Sequence, residues 1–161
     1  MPFPSKINAV LPVGAEGDFA SANAMMSSLN PVEASFITGK NGANVGRFGW
    51  SDANGVVSNT GTGKPTGFIH RHQTAYIYDF MGEYGNLIPA GQPVDLMSRG
   101  DFWVKTYTTA TIGQKVFANN TDGTISTGAV GGTVAGCVET LFAVASAGEA
   151  GDAIKITPWS N

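Results

Sequence analysis

The chain has 161 residues, 42% of them apolar, which is enough for one compact domain with a hydrophobic core, or a smaller domain plus an arm. Charged residues make up only 13%, about half of the roughly 25% found in globular proteins, and this indicates that other subunits cover much of the surface. The net charge of −3 provides no basic face, so we expect no nucleic-acid partner.

The cysteine count and the missing targeting signals exclude further classes of protein. Cys137 is the only cysteine, so no intrachain disulfide and no multi-cysteine zinc site can form. The first residues lack the basic region and apolar run of a signal peptide. No stretch approaches the roughly 20 apolar residues of a membrane helix. We therefore expect a chain made in a cytoplasm, with no membrane partner.

Residues 1–40 differ in composition from the rest and are predicted to form an extended N-terminal arm. Half of the eight prolines fall here, and proline lacks the N–H needed in a central strand, so we expect this backbone to stay out of the chain's own sheets. The segment is also apolar, so it needs a surface to lie on, either its own domain or a partner. One short helix is predicted over 20–29. The residues chosen as the binding contacts of the arm are Val10, Leu11, Val13 and Phe19.

Residues 41–161 are predicted to form one all-β domain. Short runs rich in β-branched and aromatic residues alternate with Gly, Pro, Asn and Asp, which is typical of eight or nine strands in a barrel or sandwich. The runs lie at 45–50, 66–80, 88–96, 100–107, 112–118, 138–145 and 153–157, with a hairpin turn at 119–123. The predicted core includes Phe68, Val94, Leu96, Val104, Val116, Phe142, Ile154 and Ile156.

The segment His70-Arg71-His72 is the one histidine cluster in the sequence. On a strand His70 and His72 project to the same face and offer two metal ligands, but the sequence places no third ligand beside them. An interface or surface strand is the prediction, with no metal site and no cofactor. Arg71 lies on the opposite face, where its planar guanidinium suits a carboxylate at an interface.

Other motifs give no catalytic or nucleotide-binding signal. The segment 61–67 (GTGKPTG) is not a phosphate-binding loop, because Ser58 replaces its first glycine and Pro65 replaces the hydroxyl residue that holds Mg²⁺. The segment around Asp122 lacks the first and last acids of a calcium loop and is predicted to be a turn. No nucleophile elbow of the Gly-x-Ser-x-Gly type occurs, so we expect that the protein is not an enzyme.

Seven segments occur in this order along the chain: 16–23 (EGDFASAN), 45–50 (VGRFGW), 65–72 (PTGFIHRH), 88–94 (IPAGQPV), 100–105 (GDFWVK), 112–118 (IGQKVFA) and 150–156 (AGDAIKI). As an ordered set they resemble the structural cement, or head decoration, proteins of tailed bacteriophages. The resemblance implies a β-barrel or β-tulip body, a homotrimer, and an arm lying on the outer surface of the virion against the major capsid protein. Such a protein stabilises the assembled shell. As subunit-interface candidates we take Arg47, His70, Arg71 and Trp103.

Two other classes of function remain open at this point. In a β-sandwich carbohydrate-binding or adhesin module, exposed Trp50, Trp103 and Trp159 would serve as stacking platforms for sugars. Binding of glycans by the purified protein would favour that class. An enzyme is the other alternative, and turnover of a substrate would revive it.

Overall fold

A computed structural model describes residues 13–72 and 85–159. Within these ranges the chain forms short β-strands and no helix, so the all-β prediction is confirmed. The described residues likewise contain no helix that is long and apolar enough to cross a membrane. The thirteen strands found there are β1 Met26–Ser27, β2 Ile37–Thr38, β3 Ala43–Asn44, β4 Phe48–Ser51, β5 Val56–Ser58, β6 Gly67–Ile69, β7 Leu87–Ile88, β8 Leu96–Arg99, β9 Phe102–Lys105, β10 Lys115–Asn119, β11 Ile125–Gly128, β12 Cys137–Val144 and β13 Ala153–Thr157.

The strands make two large sheets and one small ribbon. The six-stranded sheet has the order β1-β8-β6-β4-β5-β2, and the five-stranded sheet has the order β11-β10-β12-β13-β9. β3 and β7 form the two-stranded ribbon. Neighbouring strands are antiparallel, except that β2 runs parallel to β5. The sheets are not closed into a barrel, so of the predicted architectures the sandwich is the one that the chain adopts.

The main core contains four phenylalanine rings, contributed by both large sheets. Phe68 lies 5.5 Å from Phe48 and 4.6 Å from Phe102, measured between ring centroids. Phe142 completes the group at 5.7 Å from Phe48 and 6.0 Å from Phe102. Tilted and edge-on rings at these separations are favourable because the edge of one ring meets the electron-rich face of another. This cluster joins the two sheets into one sandwich.

A second core covers the other face of the six-stranded sheet. Side chains alternate along a strand, so Phe68 points into the main core while Ile69 points into the second one. The same alternation on β8 places Met97 in the main core and Leu96 in the second core. β6 is therefore buried on both faces. The members of the second core are Phe36, Ala43, Val45, Val57, Ile69, Ile88, Val94 and Leu96.

The core predicted from the sequence is confirmed. All eight residues are buried: the most exposed, Phe142, retains 3% of its surface, and Val94 retains 2%. On β9, Phe102 and Val104 are buried, whereas Trp103 is half-buried and Lys105 is exposed, as the alternating pattern predicts.

The hairpin predicted at 119–123 joins β10 to β11. Gly123 has a φ of 69°, which only glycine adopts without strain, and Asn119 and Asp122 cap the turn with their side chains. The Phe48 N–H is donated to the Gly123 carbonyl at 2.9 Å, and a side chain at position 123 would overlap the Phe48 carbonyl. The turn therefore also holds the two large sheets together.

Two local predictions are wrong. The strand predicted at 45–50 begins only at Phe48, because Gly46 has a φ of 77° and makes a turn between β3 and β4. The helix predicted over 20–29 is absent, and this segment instead carries β1, which pairs with β8. Bonds to the free edge of a sheet outweigh a modest helix propensity. Most of the second half of the predicted 66–80 run lies outside the described residues.

Candidate interaction surface

Residues 13–29, which we call the strap, lie along open edges of both large sheets. The Gly17 N–H is donated to the Trp103 carbonyl, and the Trp103 N–H is donated to the Asp18 carbonyl, each at 2.8 Å. β9, which carries Trp103, is the edge strand of the five-stranded sheet. The strap therefore satisfies backbone groups that an edge strand would leave unpaired.

Further along, the strap becomes the edge strand of the six-stranded sheet. β1 pairs antiparallel with β8, and the Ser28 N–H is donated to the Leu96 carbonyl at 2.6 Å. The prediction that the prolines keep this backbone out of the chain's own sheets is wrong for residues 17–20 and 26–28, and also for β2, which pairs with β5. The nearest prolines, Pro12 and Pro31, stand outside these stretches and leave their N–H groups free to pair.

Asp101 fastens the strap through its side chain. Its Oδ2 accepts hydrogen bonds from the Ser21 hydroxyl and the Asn23 amide, both at 2.6 Å. Burial raises the pKa of Asp101, but hydrogen bonds from Ser21, Thr157 and Asn23 outweigh it and leave the pKa below its ordinary value. The ionised carboxylate is thus the form that holds the strap. Sequence reasoning missed this residue, since nothing local identifies its partners 78 and 80 positions away.

Glu16 places a carboxylate among basic side chains where the strap meets the body. Its Oε2 accepts a hydrogen bond from Asn86 at 3.1 Å, and its backbone carbonyl accepts one from Arg71 at 3.2 Å. Burial raises the pKa of Glu16, and Arg47, Lys105, Asn86 and Arg71 offset only part of that effect.

The two arginines predicted at a subunit interface already have partners within the chain. Arg71 Nε lies 3.7 Å from Asp18 Oδ1, and Arg71 also donates to the Asn86 side chain. Arg47 Nη1 donates to the Asp122 carbonyl at 3.3 Å. The carboxylate expected opposite Arg71 is therefore found on the strap of the same molecule. The subunit-interface role of both arginines stays a prediction.

The tryptophans are not a set of exposed platforms. Trp50 is 8% exposed and its Nε1 donates to the Gly63 carbonyl at 2.9 Å. Trp103 lies directly under the strap, where any side chain at Gly14 would overlap its ring. Trp159 alone retains a large exposed fraction, 41%. The expectation that Trp50 is an exposed platform for stacking sugars is wrong, because the residue is buried. The strap covers Trp103, so little of that ring is left for a sugar to stack on.

Exposed apolar side chains are concentrated on the strap and the residues that follow it. Of the four predicted arm contacts, Val13 is 64% exposed and Phe19 is 37% exposed, while Val10 and Leu11 lie outside the described residues. Leu29, an apolar residue of the arm that was not among the four predicted contacts, is 94% exposed. Exposure of this kind on neighbouring residues is typical of an interaction surface. The exposed large apolar residues of this segment are Val13, Phe19, Met25, Met26, Leu29, Val32 and Ile37.

His70 lies beneath the strap rather than on an open interface. Its ring is 4.9 Å from that of Phe19 and 4.4 Å from that of His72. Burial lowers the pKa of His70 and favours the neutral imidazole. The structure also brings Asp95 to this cluster, with Oδ2 at 2.9 Å from His72 Nε2. The sequence did not identify this acid, because its proximity depends on the pairing of β6 with β8.

A comparison with models of protein families identifies the family. A family model described as XM1 gp53 minor capsid protein matches residues 4–157, which is nearly the whole chain. The chain belongs to this family. A chain in a solved structure titled "The capsid of Myoviridae Phage XM1" has a similar fold, with a TM-score of 0.61, 20% sequence identity and 98% of each chain covered. A search of curated proteins found no match.

Membership of this family establishes the class of function. The protein is a capsid-associated structural protein of a bacteriophage, and its place is in the virion. The resemblance seen in the sequence is thereby confirmed at the level of a phage capsid-associated family. The XM1 structure adds the fold alone at its level of identity.

Proposed function

We propose that this minor capsid protein decorates the outer surface of the phage head, binds the major capsid protein through the strap, and stabilises the assembled shell. One observation carries the proposal: a segment fastened to the body by its backbone presents a row of exposed apolar side chains. A rigid backbone lowers the entropy cost of binding, because little remains to be ordered on the shell.

The magnitude of the contact is adequate for tight binding by many copies. Full burial of a Leu, Met or Val side chain contributes about 1.5–3 kcal/mol. A few such side chains of the strap therefore offset much of the free energy that association costs in lost translational and rotational freedom. A protein that binds the assembled shell better than free capsid subunits shifts the equilibrium toward the shell. This is the physical basis of the proposed cementing activity.

We further infer a homotrimer, with no catalytic role for the chain. Low charge supports contact between subunits, and so does an exposed apolar residue away from the strap, Ile112, which is 71% exposed. A trimer multiplies weak contacts by raising the effective concentration of the second and third strap near the shell. Light scattering at micromolar concentration measures the state of the free protein, and a stable monomer would overturn a permanent trimer.

Co-sedimentation with shells tests the proposal. Undecorated shells of the same phage are mixed with the purified full-length protein, pelleted, and heated to measure the temperature at which they rupture. We expect saturable binding and a higher rupture temperature than that of bare shells. Saturable binding without a rise in rupture temperature would leave a decoration protein that does not cement. Failure to pellet with shells would overturn the proposal and place the protein elsewhere in the virion.

A further inference from the structure

The cluster formed by His70, His72 and Asp95 is a set of metal-binding groups that the decoration function does not use. β6 pairs with β8 so that Ile69 faces Leu96, and the next residues outward, His70 and Asp95, therefore face each other on the same side of the sheet. His72 follows two positions later, and its ring lies 4.4 Å from that of His70. The nitrogen and oxygen donor atoms of the three residues all lie within 4.8 Å of one another.

His70 is oriented in the way that a metal-binding histidine requires. Its Nδ1 lies 3.0 Å from the Arg71 carbonyl oxygen, to which a protonated Nδ1 donates. That tautomer leaves the lone pair on Nε2, the nitrogen available to a metal. His70 is 8% exposed and its ring packs against Phe19, so the direction of the ring is fixed before any metal binds.

His72 and Asp95 supply the adjustable part of the site. Their side chains are 38% and 51% exposed, and their donor atoms are 2.9 Å apart. Tetrahedral zinc with bonds of about 2.0–2.1 Å separates its ligand atoms by roughly 3.4 Å. Both side chains are exposed enough to rotate toward that spacing.

We propose that His70, His72 and Asp95 bind a zinc-class divalent cation, with water as the fourth ligand. Two imidazoles and one carboxylate suit Zn²⁺, Co²⁺, Ni²⁺ and Cu²⁺, whereas Ca²⁺ and Mg²⁺ prefer oxygen ligands alone. The bound ion joins the end of β6 to the start of β8, directly below Phe19 of the strap. Metal binding therefore stabilises the surface on which the strap lies.

The composition of the chain makes the test specific. His70 and His72 are its two histidines and Cys137 is its one cysteine, so few side chains can supply a nitrogen or sulfur ligand to a metal ion. Full-length protein without a histidine tag is stripped with EDTA and titrated at neutral pH with Co²⁺ and, separately, with Zn²⁺. Visible absorption reports the coordination of Co²⁺, and calorimetry reports the stoichiometry of Zn²⁺.

We expect one ion per chain, visible bands typical of four-coordinate Co²⁺, and a higher melting temperature with Zn²⁺. His72→Ala and Asp95→Ala should lose both the bands and the melting shift. Exposed Glu33 and half-buried Cys137 provide the controls, and Glu33→Gln and Cys137→Ser should retain both.

Variants that change only exposed side chains keep the result interpretable. Because His72 and Asp95 are partly exposed, their variants should melt near the wild-type temperature in EDTA, which shows that the fold is intact. The proposal is overturned if wild-type protein binds neither ion, or if His72→Ala binds Zn²⁺ as tightly as wild type does. In either case the cluster is a hydrogen-bonded histidine–aspartate pair that supports the strap.

Discussion

Phe19→Ala and Leu29→Ala should separate the two roles of the strap, attachment to the body and contact with the capsid. Phe19 is 37% exposed, so about two thirds of the residue is covered, partly by Phe102 and His70 at centroid distances of 5.4 and 4.9 Å. Truncation of a fully buried Phe costs about 3–5 kcal/mol, so this partial burial corresponds to a loss of about 2–3 kcal/mol in the free energy of unfolding. Leu29 is 94% exposed, and its truncation should change that free energy by less than about 0.5 kcal/mol.

Capsid binding should show a different pattern. If Leu29 becomes buried on the shell, its side chain contributes about 1.5–3 kcal/mol, and Leu29→Ala should weaken binding by about 10- to 100-fold. Val130 is 71% exposed and lies outside the strap. Val130→Ala therefore serves as the matched control and should leave the affinity for shells unchanged.

The measurements are urea unfolding followed by far-UV circular dichroism, and sedimentation with undecorated shells over a range of protein concentrations. Wild-type stability in Phe19→Ala would show that the ring does not hold the strap. Wild-type affinity in Leu29→Ala, together with weakened binding in Val130→Ala, would refute the assignment of the capsid-binding surface to the strap and place that surface at the connection between β11 and β12.

Three further predictions concern the hairpin, the anchor and the N-terminal end of the arm. Gly123→Ala should lower the free energy of unfolding by more than Gly131→Ala does. Both glycines have φ near 70°, so alanine at either position carries a strain of about 1–3 kcal/mol. Only alanine at position 123 also places a methyl group against the Phe48 carbonyl. Equal losses in urea unfolding would argue against that close approach. Because the pKa of Asp101 is lowered in the folded state, its contribution to stability is complete above the ordinary value of 3.8 and is lost as the pH falls through the folded pKa. Asp101→Asn should therefore lose less stability than wild type on acidification below about pH 4, and identical pH profiles would contradict this. Removal of residues 1–12 leaves the strap in place, so the truncated chain should keep its β-type spectrum and bind shells less tightly, and undiminished binding would show that the predicted contacts at Val10 and Leu11 are not used.

Much of the interior could be predicted from the sequence. All eight predicted core residues are buried, and Gly123 makes the predicted turn. Both features depend on local properties: successive side chains alternate across a strand, and the conformational freedom of glycine belongs to a single residue. The absence of a helix from the described part of the predicted all-β domain, residues 41–72 and 85–159, follows from the same period-two pattern. The family resemblance rests on the order of short segments, and it too is contained in the sequence.

The surface was decided by the tertiary structure. The strap pairs Gly17 with Trp103, and the histidine cluster gains Asp95, and both contacts join residues far apart in the chain. Neither partner can be read from a local pattern, because several antiparallel registers satisfy the same alternation until all strands are placed. The helix predicted over 20–29 failed for the same reason. The segment's own propensity was weaker than the hydrogen bonds offered by a sheet edge, and the position of that edge is a property of the folded chain alone.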